Sequence, residues 1–350
     1  MNLYFCIAQP ICLGKNSKEN IDVSFEKLAN MDSCFREKTI FFGEFHDVYA
    51  LPEIKYGLIT FLNTHYGHSE LVMEIGFSAA FLYNKFLETG DTNYITKPKL
   101  PFGKTQPEMD FWFKLFDYNK SLSTENKFVI HGYDFERSEL IKFLFLHLPN
   151  KEIPNELKSA IELIKEYKST YFKSPNELKK VSKNIKMNFK KNEKICRNYF
   201  GENYITVAKV LENESQENNL NKRNKDMYTY LKKESYYISR KPFICFIGGA
   251  HIRKYDKHSL FNLVAYDYFQ KRKPTTISQF IKAYQVSGFK AQAFAYDGIK
   301  GFNDLICNNL FLTLNNNCDF NLIDSRQIPL KNNYDFSDFI LLMTDQKSEN

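Results

Sequence analysis

Residues 39–48 read TIFFGEFHDV, and this stretch indicates both a fold and a site. Strand-forming residues at 39–42 run straight into Gly43, which is followed by titratable side chains that include Glu44 and His46. An uninterrupted run of aromatic and β-branched residues is typical of a strand that is buried on both faces of a parallel sheet. We interpret Gly43 as a residue without a side chain that allows a close turn, so that Glu44 and His46 reach the crevice beyond the strand.

Similar apolar runs recur along the chain and predict further strands. The predicted strands lie at 40–42, 71–75, 128–130, 243–247, 292–296 and 339–343. Helical periodicity fills the intervals, as in the apolar positions between Ala79 and Leu87, where Gly90 provides a helix stop. Alternation of strands and helices predicts an α/β fold, a mostly parallel sheet flanked by helices.

The segment at 151–240 differs from the rest because it is rich in Lys, Asn and Glu and lacks a strand-like run. We interpret it as a helical cap inserted into a single α/β catalytic-type domain at 21–345. Residues 1–20 are expected to be a leader or a disordered N-terminus, and residues 346–350 a disordered tail. The apolar run LYFCIA before Gln9 resembles the end of a secretory signal, which predicts export to the periplasm or medium; a frayed terminus on a cytoplasmic protein is the alternative.

Composition excludes several classes of protein. With 350 residues and 43% hydrophobic residues, the chain can bury a large core and is not disordered throughout. The net charge of +7 comes from scattered Lys and Arg, which predicts a solvated surface and not a nucleic-acid groove. The seven cysteines form no CxxC pair and no zinc-finger spacing, and no apolar run is long enough for a membrane span. A small-molecule substrate is the expected partner.

Acidic and histidine side chains follow four predicted strands: Glu44 and His46 the first, Glu74 the second, His131 and Asp134 the third, and His251 the fourth. In an open parallel sheet, ligands bind outside the carboxyl ends of the strands, so these residues predict an active site at that edge. Glu74 stands inside the apolar run LVMEIGF, where an unpaired buried carboxylate would be costly. It is therefore expected to have a histidine or an arginine as its partner.

Five motifs in this order resemble those of erythromycin esterase-like proteins, a family grouped with ChaN-type haem-uptake proteins and Tiki-type metalloproteases. The motifs read FFGEFHD, LVMEIGFSAAFLYNKFLETGD, FVIHGYDFERSELIKFLF, NKRNKDMYTYL and FICFIGGAHI, and the resemblance covers roughly residues 38–265. The resemblance implies that Glu44, His46, Glu74 and His251 line a catalytic pocket and that Arg223 lines the same pocket. Asp134 is a further candidate for substrate binding.

Two departures from the family pattern bear on the activity. The esterases usually space the first pair as Glu-x-x-His, whereas Glu44 and His46 form Glu-x-His, which resembles the haem-uptake and Tiki branches. The esterases also tend to carry a second histidine three residues after the late one, where this chain has Lys254. The resemblance therefore implies a hydrolase of an ester or lactone, without implying that the substrate is a macrolide.

The expected mechanism is activation of water without a metal, in which a histidine removes a proton and a carboxylate orients it. Arg223 would then hold a substrate carboxylate or the developing oxyanion. As an alternative, Glu44, His46, Glu74 and His251 could bind a divalent metal, as in a Tiki-type hydrolase or peptidase. A third reading is a ChaN-like binding protein whose pocket histidines hold haem or another ligand.

A serine hydrolase is a further alternative, because residues 76–80, GFSAA, follow a strand and open a helix like a nucleophile elbow. Ser78, Asp134 and His251 follow in the chain order of that class. A serine at a helix start is more often a cap, and no HGGG-like oxyanion loop precedes it.

Overall fold

The computed structural model describes most of the first 268 residues and isolated strands after them. The described residues are 11–16, 21–29, 31–44, 48–96, 105–168, 175–213, 219–238, 241–252, 257–268, 275–281, 284–286, 289–291, 320–324, 339–343 and 346–347.

The strands form one large sheet and one small one. The strands are β1 (Ile11–Asn16), β2 (Ile21–Val23), β3 (Ile40–Glu44), β4 (Glu70–Met73), β5 (Val129–Gly132), β6 (Phe243–Gly248), β7 (Thr275–Ile281), β8 (Tyr284–Val286), β9 (Phe289–Ala291), β10 (Phe320–Asp324), β11 (Phe339–Met343) and β12 (Gln346–Lys347). The large sheet has the order β2-β1-β10-β11-β7-β3-β6-β4-β5, and β12-β8-β9 form the small sheet.

Strand direction divides the large sheet into two parts. All neighbours from β11 to β5 pair in parallel, whereas β10, β1 and β2 continue the sheet with antiparallel pairs. Helices cover the faces of the central strands. The helices are α1 (Asp32–Phe35), α2 (Leu51–Tyr66), α3 (Phe77–Thr89), α4 (Asn93–Thr96), α5 (Gln106–Ser121), α6 (Glu139–Leu146), α7 (Lys158–Tyr167), α8 (Pro175–Lys191), α9 (Glu193–Phe200), α10 (Tyr204–Glu212), α11 (Leu220–Ile238) and α12 (Leu260–Tyr268). The predicted α/β class with a mostly parallel sheet is confirmed.

Most of the predicted strands correspond to strands of the sheet. The runs at 40–42, 71–75, 128–130, 243–247 and 339–343 fall on β3, β4, β5, β6 and β11. The run at 292–296 lies outside the described residues. The predicted stop of α3 at Gly90 is also present: this glycine has φ +73° and donates its N–H to Phe86 O.

Side chains of the central strands alternate between two cores. Phe42, Met73 and Phe246 pack on one face of the sheet together with the buried side of α2. Val72 and Cys245 pack on the other face with buried residues of α11 and α12. This alternation determines on which face of the sheet a polar side chain at a strand end will lie.

The predicted insertion at 151–240 is helical where the structure describes it. Its described residues form α7 to α11 with short 3-10 helices and turns, and none of these residues lies in a strand. Helices α7 to α10 share a separate apolar core with α6, and Phe77 and Phe81 of α3 pack against that core. That this segment forms a cap over the site stays a prediction.

Short parts of the two chain ends that were expected to be disordered form strands. Residues 11–16 of the predicted leader form β1, and residues 346–347 of the predicted tail form β12. The LYFCIA run lies outside the described residues, so export stays a prediction. No helix in the described ranges is long and apolar enough to cross a membrane.

Candidate functional site

The order of the strands gathers the predicted residues at one edge. Strand β6 lies between β3 and β4, with Glu44 in register with Gly248 and Met73 in register with Phe246. The chain leaves β6 through a short 3-10 helix, Gly249–Ile252, which carries His251. Gly43 leaves room for that helix, because a Cβ at this position would lie 2.4 Å from the Ile252 Cδ1 atom.

Glu74 is the centre of a buried charged cluster at this edge. Its side chain is 6% exposed, Oε1 accepts a hydrogen bond from Arg223 Nη2 at 2.5 Å, and Oε2 accepts one from the backbone N–H of Gly248 at 2.7 Å. His251 Nε2 lies 3.4 Å from Oε1. Burial alone would raise the pKa of Glu74, but the hydrogen bond and charge of His251, the charge of Arg223 and the Gly248 N–H lower this pKa well below its usual range. Glu74 is therefore an ionised carboxylate, and it has both of the partner types that its sequence context required.

Arg223 reaches the cluster from α11 and joins two strand ends. Its Nε donates to Asp134 Oδ1 at 3.1 Å and its Nη2 to Asp134 Oδ2 at 2.6 Å, while Nη2 also bonds Glu74. Burial lowers the pKa of Arg223, but the bonds and charges of Asp134 and Glu74 outweigh this effect and raise it. The guanidinium lies 5.3 Å from the ring centroid of Phe135. Asp134, predicted to bind substrate, therefore holds the arginine in place.

The ring of His251 is held from the other side by Asn224, which the sequence analysis did not single out. The ring is buried, and its Nδ1 contacts Asn224 Oδ1. Asn224 Nδ2 donates in turn to the backbone oxygen of His258 at 2.9 Å. The only signal in the sequence was position, since Asn224 follows Arg223 directly on an amphipathic helix.

Glu44 lies apart from this cluster, on the other face of the sheet. Its carboxylate forms a buried ion pair with Lys55 of α2, with a distance of 2.5 Å from Nζ to Oε2. The face follows from the alternation of side chains, because Glu44 shares the parity of Phe42. His46 lies outside the described residues. The structure thus brings Glu74, His251, Arg223 and Asp134 together and gives Glu44 a separate partner.

Two other candidates from the sequence, His131 and Ser78, make contacts outside the Glu74 cluster. His131 Nε2 lies 2.7 Å from Oε2 of Glu70, at the amino end of β4 and away from Glu74. Ser78 Oγ donates to Glu136, and the Ser78 N–H also bonds that carboxylate. Because Asp134 holds Arg223 and Ser78 bonds a glutamate, the contacts do not favour the serine hydrolase alternative.

The alternative of a divalent metal can be tested against the same contacts. Within the described ranges, no three His, Cys, Asp or Glu side chains form a group that could hold a metal ion. Glu44 and Glu74, two of the four alternative ligands, each already contact a cationic side chain, Lys55 and Arg223. A metal bound by these carboxylates would have to displace those cations or share the carboxylates with them.

Comparisons with known proteins identify relatives of the fold. No protein-family model matches the chain, and no curated protein matches it by sequence. Among solved structures, a Bacillus cereus protein is 15% identical with a TM-score of 0.61, covering 98% of this chain and 96% of its own. A succinoglycan biosynthesis protein is 15% identical with a TM-score of 0.62, covering 97% and 95%.

A mutant of the erythromycin esterase EreC in its open conformation is 11% identical with a TM-score of 0.59, covering 98% of each chain. ChaN of Campylobacter jejuni, described with cofacial haem, gives a TM-score of 0.33 at 13% identity, which is too low to show a shared fold. At these identities, the first three structures show a shared α/β fold. The chain is therefore similar in fold to an erythromycin esterase over nearly its whole length.

Proposed function

We propose that the protein is a hydrolase that activates water with a Glu/His pocket and cleaves an ester or lactone. The observation that carries the proposal is the buried contact of Glu74 with His251 and Arg223 at the carboxyl edge of the sheet. Burying several charged side chains together lowers the stability of a fold. Such clusters occur more often at functional sites than elsewhere in a protein. The fold shared with an erythromycin esterase is compatible with this chemistry.

The contacts suggest a role for each group. In the neutral form of its ring, His251 accepts a proton from water at Nε2. The ionised Glu74 orients the ring and stabilises the imidazolium that forms, whose hydrogen bond and charge in turn lower the pKa of Glu74. The bonds of Arg223 to Glu74 and Asp134 use Nε and Nη2, so Nη1 lies outside these contacts and can donate to the developing oxyanion. His46 stays a candidate for a second base.

Substitution of Glu74 tests the proposal. Glu74→Gln removes the charge that stabilises the imidazolium, and we expect kcat for an aryl ester or lactone to fall at least about 100-fold. Because Asp134 still holds Arg223, the variant should fold, with a loss of about 1–3 kcal/mol in the free energy of unfolding. An ester and lactone screen with and without chelator measures the activity, and urea unfolding measures the stability.

Glu70→Gln is a matched control at the opposite end of β4. Glu70 is also buried and also pairs with a histidine, His131, but it lies at the amino end of β4. Its substitution should leave kcat within about twofold of the wild-type value. Equal activity of Glu74→Gln and wild type would refute the roles assigned to the cluster, and loss of activity with chelator would favour the metal-dependent alternative.

A further inference from the structure

Asn224 is buried between two groups that determine the orientation of its amide. Its side chain is fully buried, Nδ2 donates to the backbone oxygen of His258 at 2.9 Å, and Oδ1 contacts Nδ1 of His251. A backbone carbonyl oxygen can only accept a hydrogen bond, so the NH₂ group of the amide must face His258. The amide oxygen must therefore face the histidine ring.

The same reasoning shows that Nδ1 of His251 carries a proton. An amide oxygen can only accept, so the hydrogen bond with Asn224 exists only if Nδ1 of the ring is protonated. Nε2 is then the nitrogen that points to Glu74 Oε1, at 3.4 Å. We propose that Asn224 is a positioning residue that fixes the His251 ring with Nδ1 as donor and Nε2 directed into the site beside Glu74.

This arrangement matters for catalysis because the two ring nitrogens are distinct and a hydrogen bond to one sets the role of the other. With Nδ1 held by Asn224, proton transfer with water or substrate must pass through Nε2. Arg223 and Asn224 are consecutive residues of α11, so one turn of this helix places both the cation on Glu74 and the acceptor on His251. The catalytic part of this inference rests on the proposed function, whereas the orientation of the ring does not.

Nitrogen NMR on histidine tests the orientation directly. Protein labelled with ¹⁵N-histidine is compared as wild type, Asn224→Leu and His251→Gln, the last of which assigns the His251 signals. We expect Nδ1 of His251 to be protonated in the wild type and the proton to move to Nε2 in Asn224→Leu, in mildly alkaline buffer where free imidazole is neutral. Wild-type protein with an unprotonated Nδ1, or an unchanged proton position in Asn224→Leu, would overturn the proposal.

Two further variants separate positioning from loss of stability. Asn224→Asp keeps an oxygen acceptor for Nδ1, so it should retain the wild-type proton position. Asn63→Leu is the matched control, because Asn63 is also buried and also donates from Nδ2 to a backbone oxygen, that of His68 at 2.9 Å. Asn63→Leu should lower the unfolding midpoint as Asn224→Leu does, with the His251 signals unchanged. A shift of those signals in Asn63→Leu would contradict a specific role for Asn224.

Kinetics then test the catalytic consequence. Asn224→Leu should lower kcat roughly 10- to 100-fold with little change in KM, and Asn224→Asp should recover most of the loss. Wild-type kcat in Asn224→Leu alongside a moved proton would overturn the catalytic role and leave the ring assignment intact. If no hydrolysis depends on Glu74, the proposed function fails, while the NMR result still decides the orientation of the ring.

Discussion

Two carboxylates at the carboxyl ends of β3 and β4, the strands on either side of β6, each meet a different cation because of side-chain alternation. Glu44 lies on the α2 face of the sheet and pairs with Lys55, whereas Glu74 lies on the α11 face and pairs with Arg223. Each carboxylate is buried, and a buried charge without a partner would be strongly destabilising. A shift of one residue in either strand end would therefore carry its carboxylate to the opposite face of the sheet, away from its own cation.

Gly132 offers a test of how tightly the loops at this edge are packed. A Cβ at Gly132 would lie 2.2 Å from the backbone oxygen of Gly76 and 2.8 Å from that of Ile75. Because backbone atoms cannot move without separating β5 from the loop after Glu74, we expect Gly132→Ala to lower the free energy of unfolding by about 3 kcal/mol. Urea unfolding measures the loss.

Gly249→Ala is the control for this prediction. It lies at the same edge, but the nearest atom to a Cβ there is 3.9 Å away, so the unfolding midpoint should hardly change. Equal stability of Gly132→Ala and wild type would show that the loop after β4 can move away from β5.

The partners of the site residues were only partly predictable from sequence. The apolar context of Glu74 required a histidine or an arginine, and the structure provides His251 and Arg223. Lys55 could not be predicted as the partner of Glu44, because their contact depends on how α2 packs on the sheet. Asn224 could not be predicted for the same reason, since its role depends on the packing of α11 against the residues after β6.

At the scale of elements, Glu136, which follows β5, connects that strand with α3 and α10. Its carboxylate accepts hydrogen bonds from the N–H groups of Phe77 and Ser78 at the start of α3, which has no side-chain cap of its own. Asn213, which follows α10, donates to the same carboxylate at 3.1 Å. Burial raises the pKa of Glu136 to about 7, the charge of Glu139 adds to this effect, and the bonds from Ser78 and Asn213 oppose it.

This raised pKa predicts a pH dependence of stability. The folded state binds the proton of Glu136 more tightly than the unfolded state does. The stabilisation of the folded state by this proton is therefore complete below about pH 4.5 and is lost as pH rises to about 7. Glu136→Gln cannot titrate. The free energy of unfolding of the variant, relative to wild type, should therefore rise by about 3 kcal/mol between these pH values. Parallel stability curves from urea unfolding at several pH values would contradict the shift.

The elements themselves were predictable where a strand is one uninterrupted apolar run, as in β3 and β6. Strand β7 reads TTISQFI, and its mixed pattern gave no such signal. The order of the strands could not be predicted from the sequence either. Strand β6 follows the long helical segment in the chain, yet in the sheet it lies between β3 and β4 and pairs with both. Parallel strands are joined by crossovers, so distance along the chain does not determine which strands pair.

At the scale of the whole molecule, the helical segment at 151–240 leaves the sheet after α6 and returns to it at β6. Two of its residues contact the loop after β5: Asn213 Nδ2 donates to the backbone oxygen of Asp134 at 2.7 Å, and Arg223 binds the Asp134 carboxylate. Both contacts lie at the carboxyl edge of the sheet, where the predicted pocket opens. They are compatible with a cap at the site, which stays a prediction beside the alternative of an appendage docked elsewhere.

If the segment is a cap, loosening its attachment should change which substrates reach the Glu74 cluster. Asn213→Ala removes the bonds to Asp134 and Glu136. Asn192→Ala is the matched control, because the Asn192 side chain donates to Glu156 and Asn188, which both lie within the segment. Caps enclose reacting groups and limit substrate size, so we expect Asn213→Ala to raise kcat/KM for a bulky ester relative to a small one roughly 10-fold. The ratio of the two kcat/KM values does not depend on the fraction of folded protein, so a loss of stability alone cannot produce this change. The same ratio in both variants and wild type would favour an appendage that stabilises the fold without controlling access to the site.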